Sequence, residues 1–181
     1  MNAIPLHTIG VHDGLARDIA RALRITCRPA PSAWATSPLD VDTASRHAHN
    51  WARRHPQPEA DAVTWVPGHD GSPGPGYAFA ELVADAWRLP LVDAVQRTAP
   101  IPSTHRSTRR ATLDEQVASL HARPTSRRLV VVDNTATSGT ILHVVIDRLH
   151  AEGVIVTAAV TASISRHLTA TPRPTRRGDP T

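Results

Sequence analysis

The segment Val130-Val131-Val132-Asp133-Asn134-Thr135-Ala136-Thr137-Ser138-Gly139-Thr140 constrains this chain more than any other. An uninterrupted β-branched run suits a strand buried on both faces, which is the habit of parallel sheets. The run ends in an acidic–amide pair, and small hydroxyl residues around a glycine follow. Ile141-Leu142-His143-Val144-Val145-Ile146 then opens a helix. A strand that delivers its carboxyl end to a short loop and a helix N-terminus creates an anion site. Backbone N–H groups and the helix dipole converge there, and short hydroxyl side chains add donors. Asp133 and Asn134, just before the loop, are placed to take hydroxyls of a bound sugar. The segment reads as a seat for a sugar phosphate.

The remaining pattern alternates strands with helices. Leu15, Ile19, Ala22 and Leu23 share one face at helical spacing, predicting an amphipathic helix over 11–24. Residues 29–38 read as a loop, and Asp42 as the N-cap of a helix over 43–54 that stops before Pro56. Strands are predicted at 62–66, 91–95, 129–133 and 154–160, and helices at 78–87, 112–121 and 141–151. Thr112 and Glu115 form the capping pair of the second of these helices. Segments 67–76 and 100–110 read as loops. The expected architecture is α/β, a central parallel sheet with helices on both faces. Residues 1–61 would form an N-terminal helical hood, 62–168 the core, and 169–181 a disordered tail. The loops after Val66, Val95 and Asp133 would share one rim, because ligands of such sheets sit beyond the carboxyl ends of the strands.

Composition removes several classes of function. All 20 Lys+Arg positions among the 181 residues are arginine, which excludes lysine nucleophiles and Schiff bases. Arginine suits phosphate through its planar fork, and a net charge of +4 fits a polyanionic substrate. Cys27 stands alone, so intrachain disulfides and four-cysteine zinc sites are excluded. His47 and His49, two apart on a predicted helix, point to different faces and are not read with His55 as metal ligands. No Gly-x-Ser-x-Gly pattern marks a nucleophile elbow. The N-terminus lacks a secretory pattern and no apolar run reaches membrane-spanning length, so a cytoplasmic protein without a membrane partner is expected. Arg173, Arg176 and Arg177 read as a solvated tail rather than a nucleic-acid arm. Trp34, Trp51 and Trp87 suit a core or a homodimer interface equally.

The Asp133–Thr140 segment resembles the PRPP-binding loop of type I phosphoribosyltransferases. The resemblance implies that fold, with the small N-terminal hood over the acceptor. It also implies pyrophosphate displacement from PRPP by a base or amine, with Mg²⁺ as cofactor. Asp133 and Asn134 would hold ribose hydroxyls, and Asp133 would also ligate the metal. Thr135, Ala136, Thr137, Ser138, Gly139 and Thr140 would wrap the 5′-phosphate. Pro67, Gly68 and His69 correspond to the family's pyrophosphate loop, whose backbone N–H groups bind the leaving group. Arg106, Arg109 and Arg110 fall where the family carries a mobile catalytic loop. Trp65-Val66-Pro67 and the start of the helix at Gly76-Tyr77 are similar to the competence-associated branch, without its zinc module. Thr137 departs from the 6-oxopurine branch. The neutral Asn134 replaces the family's second carboxylate, so Asn134→Asp is expected to raise turnover if that charge limits the rate. The same departure leaves open a non-catalytic PRPP or nucleotide sensor, or a competence-type accessory protein linked to DNA.

Overall fold

The computed structural model describes residues 4–11, 14–25, 39–101 and 113–165. Its elements in chain order are β1 (Leu6–Val11), α1 (Gly14–Ile25), α2 (Val41–Arg54), β2 (Ala62–Trp65), α3 (Gly74–Trp87), β3 (Val95–Arg97), α4 (Leu113–Ser119), β4 (Leu120–Ala122), β5 (Arg128–Ala136), α5 (Thr140–Ala151) and β6 (Ile155–Ile164). A four-stranded sheet runs in the order β1-β6-β5-β2. Every pairing within it is parallel.

Strand alternation splits the apolar residues between two cores. Val63, Trp65, Val130, Val132 and Val160 face α1, α2 and α3, where Ile19, Leu23, Phe79, Val83 and Trp87 meet them. Ala62, Val131, Val156 and Ala159 face α5 and its Leu142, Val145 and Leu149. The sheet is therefore covered on both faces, as its unbroken β-branched runs require. Buried Trp87 also donates its indole N–H to Ala52 O at 2.9 Å, tying α3 to α2.

Several boundaries differ from the sequence reading. Asp40, not Asp42, caps α2: its two carboxylate oxygens accept from Thr43 N and Thr43 Oγ1, each at 2.8 Å. α3 begins at Gly74, where Pro75 sits in the first turn, a position that needs no N–H donor. Of the expected strand at 91–95, Leu91 makes an isolated bridge to Val63 and only Val95 enters a strand, as the first residue of β3. Ala94 N turns back to Val92 O at 3.1 Å and to Thr64 Oγ1 at 3.3 Å, which bends the chain before a ladder can form. The strand that follows, β3, pairs antiparallel with β4 in a separate two-stranded sheet. Leu120 and His121, expected as a helix end, belong to that pair.

β1 was not anticipated. It makes residues 6–11 an edge strand of the main sheet, beside β6. The N-terminal region expected as a hood thus supplies one strand and two helices to the same core as β2, β5 and β6. The stretches 29–38, 102–112 and 169–181, expected as loop, basic loop with the Thr112 cap, and tail, lie outside the described residues. Among the described residues no helix is long and apolar enough to cross a membrane.

Candidate anion site at the carboxyl ends of the strands

β5 runs three residues beyond its expected end, to Ala136, so Asp133 and Asn134 sit inside a strand and point to opposite faces. Asp133, half-buried, lies on the α5 face. In register it neighbours Thr161 of β6, which in turn neighbours Thr8 of β1. Thr161 is fully buried and its Oγ1 has no partner among the described residues. Thr135, two residues on and on the same face, likewise has a buried Oγ1 without a partner.

Asn134 faces the other way. It is 3% exposed and its amide donates to Ala20 O of α1 at 2.9 Å. The amide of the residue expected at the ribose thus turns toward α1, on the face opposite Asp133. Its Nδ2 anchors α1 to the sheet, while its buried Oδ1 has no partner among the described residues.

The turn 137–139 leaves the carboxyl end of β5 and leads directly into α5. Gly139 adopts the left-handed conformation (φ 72°, ψ −5°) that a side chain resists. Among the described residues the amides of Thr137, Ser138 and Gly139 meet no protein acceptor. Together with the first N–H groups of α5 they are donors of the kind an anion takes. Part of the turn is occupied from within. Ser138 Oγ accepts weakly from Thr140 N at 3.3 Å and donates to Thr140 Oγ1 at 2.9 Å. Ser138 thus spends its one hydroxyl proton on Thr140, whose own hydroxyl proton stays available. Ala136 is buried, and its carbonyl accepts from Ser165 N at 2.9 Å.

The loop after β2 lies beside this turn, because β2 pairs with β5 and Val66 N donates to Val132 O at 2.9 Å. Gly76 of α3 packs so tightly there that an added Cβ would fall 3.0 Å from Val66 O. Pro67 is buried at the strand exit. Gly68 does not offer the amide expected for pyrophosphate, since its N–H donates to Ser72 O at 2.9 Å. His69 is half-buried, and its carbonyl accepts from Ile101 N at 2.8 Å. Arg106, Arg109 and Arg110 lie outside the described residues.

Arg97 is the residue that sequence reasoning missed. It is 8% exposed in β3, yet its partners are neutral: Gly68 O, reached by Nε at 3.0 Å, and Ser119 Oγ, reached by Nη1. Burial pushes its pKa down, and among the described residues no carboxylate pairs with it. It lines a cavity of about 340 Å³ with Trp65, Pro67, Ser72, Asp93 and Gln96. No sequence signal marked it, because β3 is too short to show a period; in the fold Arg97 shares the inward side with buried Val95. A larger cavity of about 910 Å³ lies at the opposite, amino end of the sheet, lined by Pro5, Pro56, Val154 and Ile155. Its arginine, Arg128, pairs with Glu59 at 2.5 Å. That cavity lacks the turn and helix terminus found at the carboxyl rim.

No group of three His, Cys, Asp or Glu side chains converges among the described residues. Mg²⁺ characteristically keeps waters and binds through one or two carboxylates plus substrate phosphates. Asp133 as the carboxylate of the strand fits Mg²⁺ that arrives on a diphosphate, and does not fit a preformed protein cage.

No family model and no curated sequence matches the chain. Among solved structures it is similar to orotate phosphoribosyltransferase from Aeropyrum pernix, at 18% identity over 70% of this chain and 75% of that one, with a TM-score of 0.44. It is also similar to adenine phosphoribosyltransferase from Thermoanaerobacter pseudethanolicus, at 13% identity over 78% of this chain and 97% of that one, with a TM-score of 0.46.

Proposed function

We propose that the chain binds PRPP at the carboxyl ends of β2 and β5 and transfers its ribose 5-phosphate to a nitrogen nucleophile. The observation that carries this reading is the 137–139 turn. Among the described residues its amides stand without protein acceptors before the N-terminus of α5, directly after the strand that holds Asp133. A monoester phosphate supplies the acceptors those donors need. Asp133 then faces the ribose, where its charge favours a sugar carbon that becomes cationic as the C1–O bond lengthens.

In the reaction the C1–O bond to pyrophosphate breaks and its electron pair leaves with the pyrophosphate. A C1–N bond forms, and the nitrogen releases a proton to solvent. Mg²⁺ bound with the diphosphate would neutralise part of the departing charge. Arg97 supplies a fixed cation beside Pro67, and a cation held in a poorly solvated site stabilises developing negative charge strongly. Arg106, Arg109 and Arg110 are assigned to the same task from sequence position. The Trp65–Pro67 and Gly76-Tyr77 motifs favour the competence-associated branch of such proteins.

A second reading is supported by Asn134. With that side chain turned into α1, Asp133 is the one carboxylate of the pair left on the ribose side, which suits a PRPP sensor as well as an enzyme. Pyrophosphate release, followed with PRPP, Mg²⁺ and a panel of bases and amines, separates the two. Release with any acceptor supports transfer. Binding in calorimetry without release supports the sensor. Absence of binding at millimolar PRPP rejects both, and salt-dependent DNA retention would turn attention to an accessory role.

A further inference from the structure

We infer that His143 is a positioning residue of the phosphate turn, acting through the peptide unit between Gly139 and Thr140. This rests on the phosphate reading above. Gly139 O accepts twice from the same residue: from His143 N at 3.0 Å and from the imidazole Nδ1 at 2.9 Å. A carbonyl cannot donate, so Nδ1 carries the proton in this contact. The backbone bond is the first i→i−4 bond of α5. The imidazole bond is an addition, since Gly139 has no side chain with which to cap the helix itself.

The consequence follows from peptide geometry. Gly139 C=O and Thr140 N–H belong to one planar trans unit and point in opposite directions. Pinning the carbonyl into the first turn of the helix with two donors therefore aims the Thr140 amide outward, into the turn where the phosphate would sit. In a left-handed glycine this matters more than elsewhere, because glycine resists rotation of that plane less than any other residue. The contact of Thr140 N with Ser138 Oγ, at 3.3 Å, is long enough for a phosphate oxygen to replace it. The His143 side chain itself is exposed, so it contributes nothing to either core.

The test uses the full chain, calorimetry with ribose 5-phosphate as the probe, and thermal unfolding alongside. His143→Ala should weaken binding about fivefold, the value of one hydrogen bond, and leave the melting temperature nearly unchanged. His143→Asn should restore binding to within about twofold, because its side-chain N–H is attached at the same position as imidazole Nδ1. Wild-type affinity in the alanine variant overturns the inference. So does an asparagine variant that binds as weakly as alanine. If the wild-type chain itself does not bind ribose 5-phosphate, the phosphate reading falls and this inference with it, a result distinct from wild-type binding that His143 variants leave unchanged.

Discussion

Asp133 and Asn134 are adjacent in sequence and opposite in environment. The amide of Asn134 donates to Ala20 O from a site that is 3% exposed, so a carboxylate placed there would meet a carbonyl oxygen with no donor. Asn134→Asp should therefore destabilise the fold, by about 2–4 kcal/mol at neutral pH, rather than speed turnover. The acid form can donate to Ala20 O, so the folded state would hold its proton more tightly than the unfolded chain. Stability should then recover as pH falls, and urea unfolding at pH 8 and pH 5 measures the difference. Equal stability at both, with higher turnover, would return Asn134 to the ribose side. Arg97 poses the converse case. Its cation is buried without a paired carboxylate among the described residues, a burden that a binding site can justify and a core cannot. Arg97→Met keeps the stem and removes the charge. Pyrophosphate affinity should drop at least about tenfold while the melting temperature holds or rises. A large loss of stability with unchanged affinity would make Arg97 a structural strut.

The strand–turn–helix unit of β5 and α5 was legible because its information is local. A β-branched run, a glycine and an apolar helix face lie in direct succession, and only the three-residue extension of the strand through Ala136 was hidden. β3 and β4 were not legible, because strands of three residues carry no period and exist through each other. Element ends also gave near misses, as at α2, where two aspartates compete for the cap and geometry selects Asp40. The Thr43 amide holds the Asp40 carboxyl below the usual carboxylate range. A depressed acid pKa contributes stability above the unfolded value of 3.8, and that stability fades as pH falls through the folded value. Asp40→Ala should lower the melting temperature at pH 7, and its gap to wild type should close as pH falls through the depressed folded-state pKa of Asp40. At α5 the backbone itself is the test. Gly139→Ala forces a side chain into φ 72°, at a cost of about 1–2 kcal/mol, and should weaken ribose 5-phosphate binding together with stability.

At the scale of the molecule, the pairing of β1 with β6 joins the two ends of the described chain, and no local pattern announces such a contact. Leu6-His7-Thr8-Ile9-Gly10-Val11 has two polar residues and a glycine where a buried strand is usually apolar, so it reads poorly until β6 lies beside it. The candidate residues were legible in the same proportion: Asp133 and its turn are contiguous, whereas Arg97 comes beside Pro67 and Gly68 only through folding. The consequence of the shared sheet is cooperative. α1 and α2 bury Ile19, Leu23, Ala44 and Ala48 in one core with Val63, Phe79 and Val130, and Trp87 is hydrogen-bonded across to Ala52. An independent N-terminal hood would melt apart from the remainder, but a segment that supplies an edge strand and part of one core cannot. Tryptophan fluorescence reports α2, β2 and α3 through Trp51, Trp65 and Trp87, while far-ultraviolet circular dichroism reports the whole backbone. Their urea midpoints should coincide. Trp87→Phe, which removes the bond to Ala52 O, should shift both midpoints together, with a loss of about 1–2 kcal/mol. Two separated transitions in the wild-type chain, or a Trp87→Phe variant that moves the fluorescence transition alone, would instead mean that the N-terminal helices fold as their own unit and only lean on the sheet.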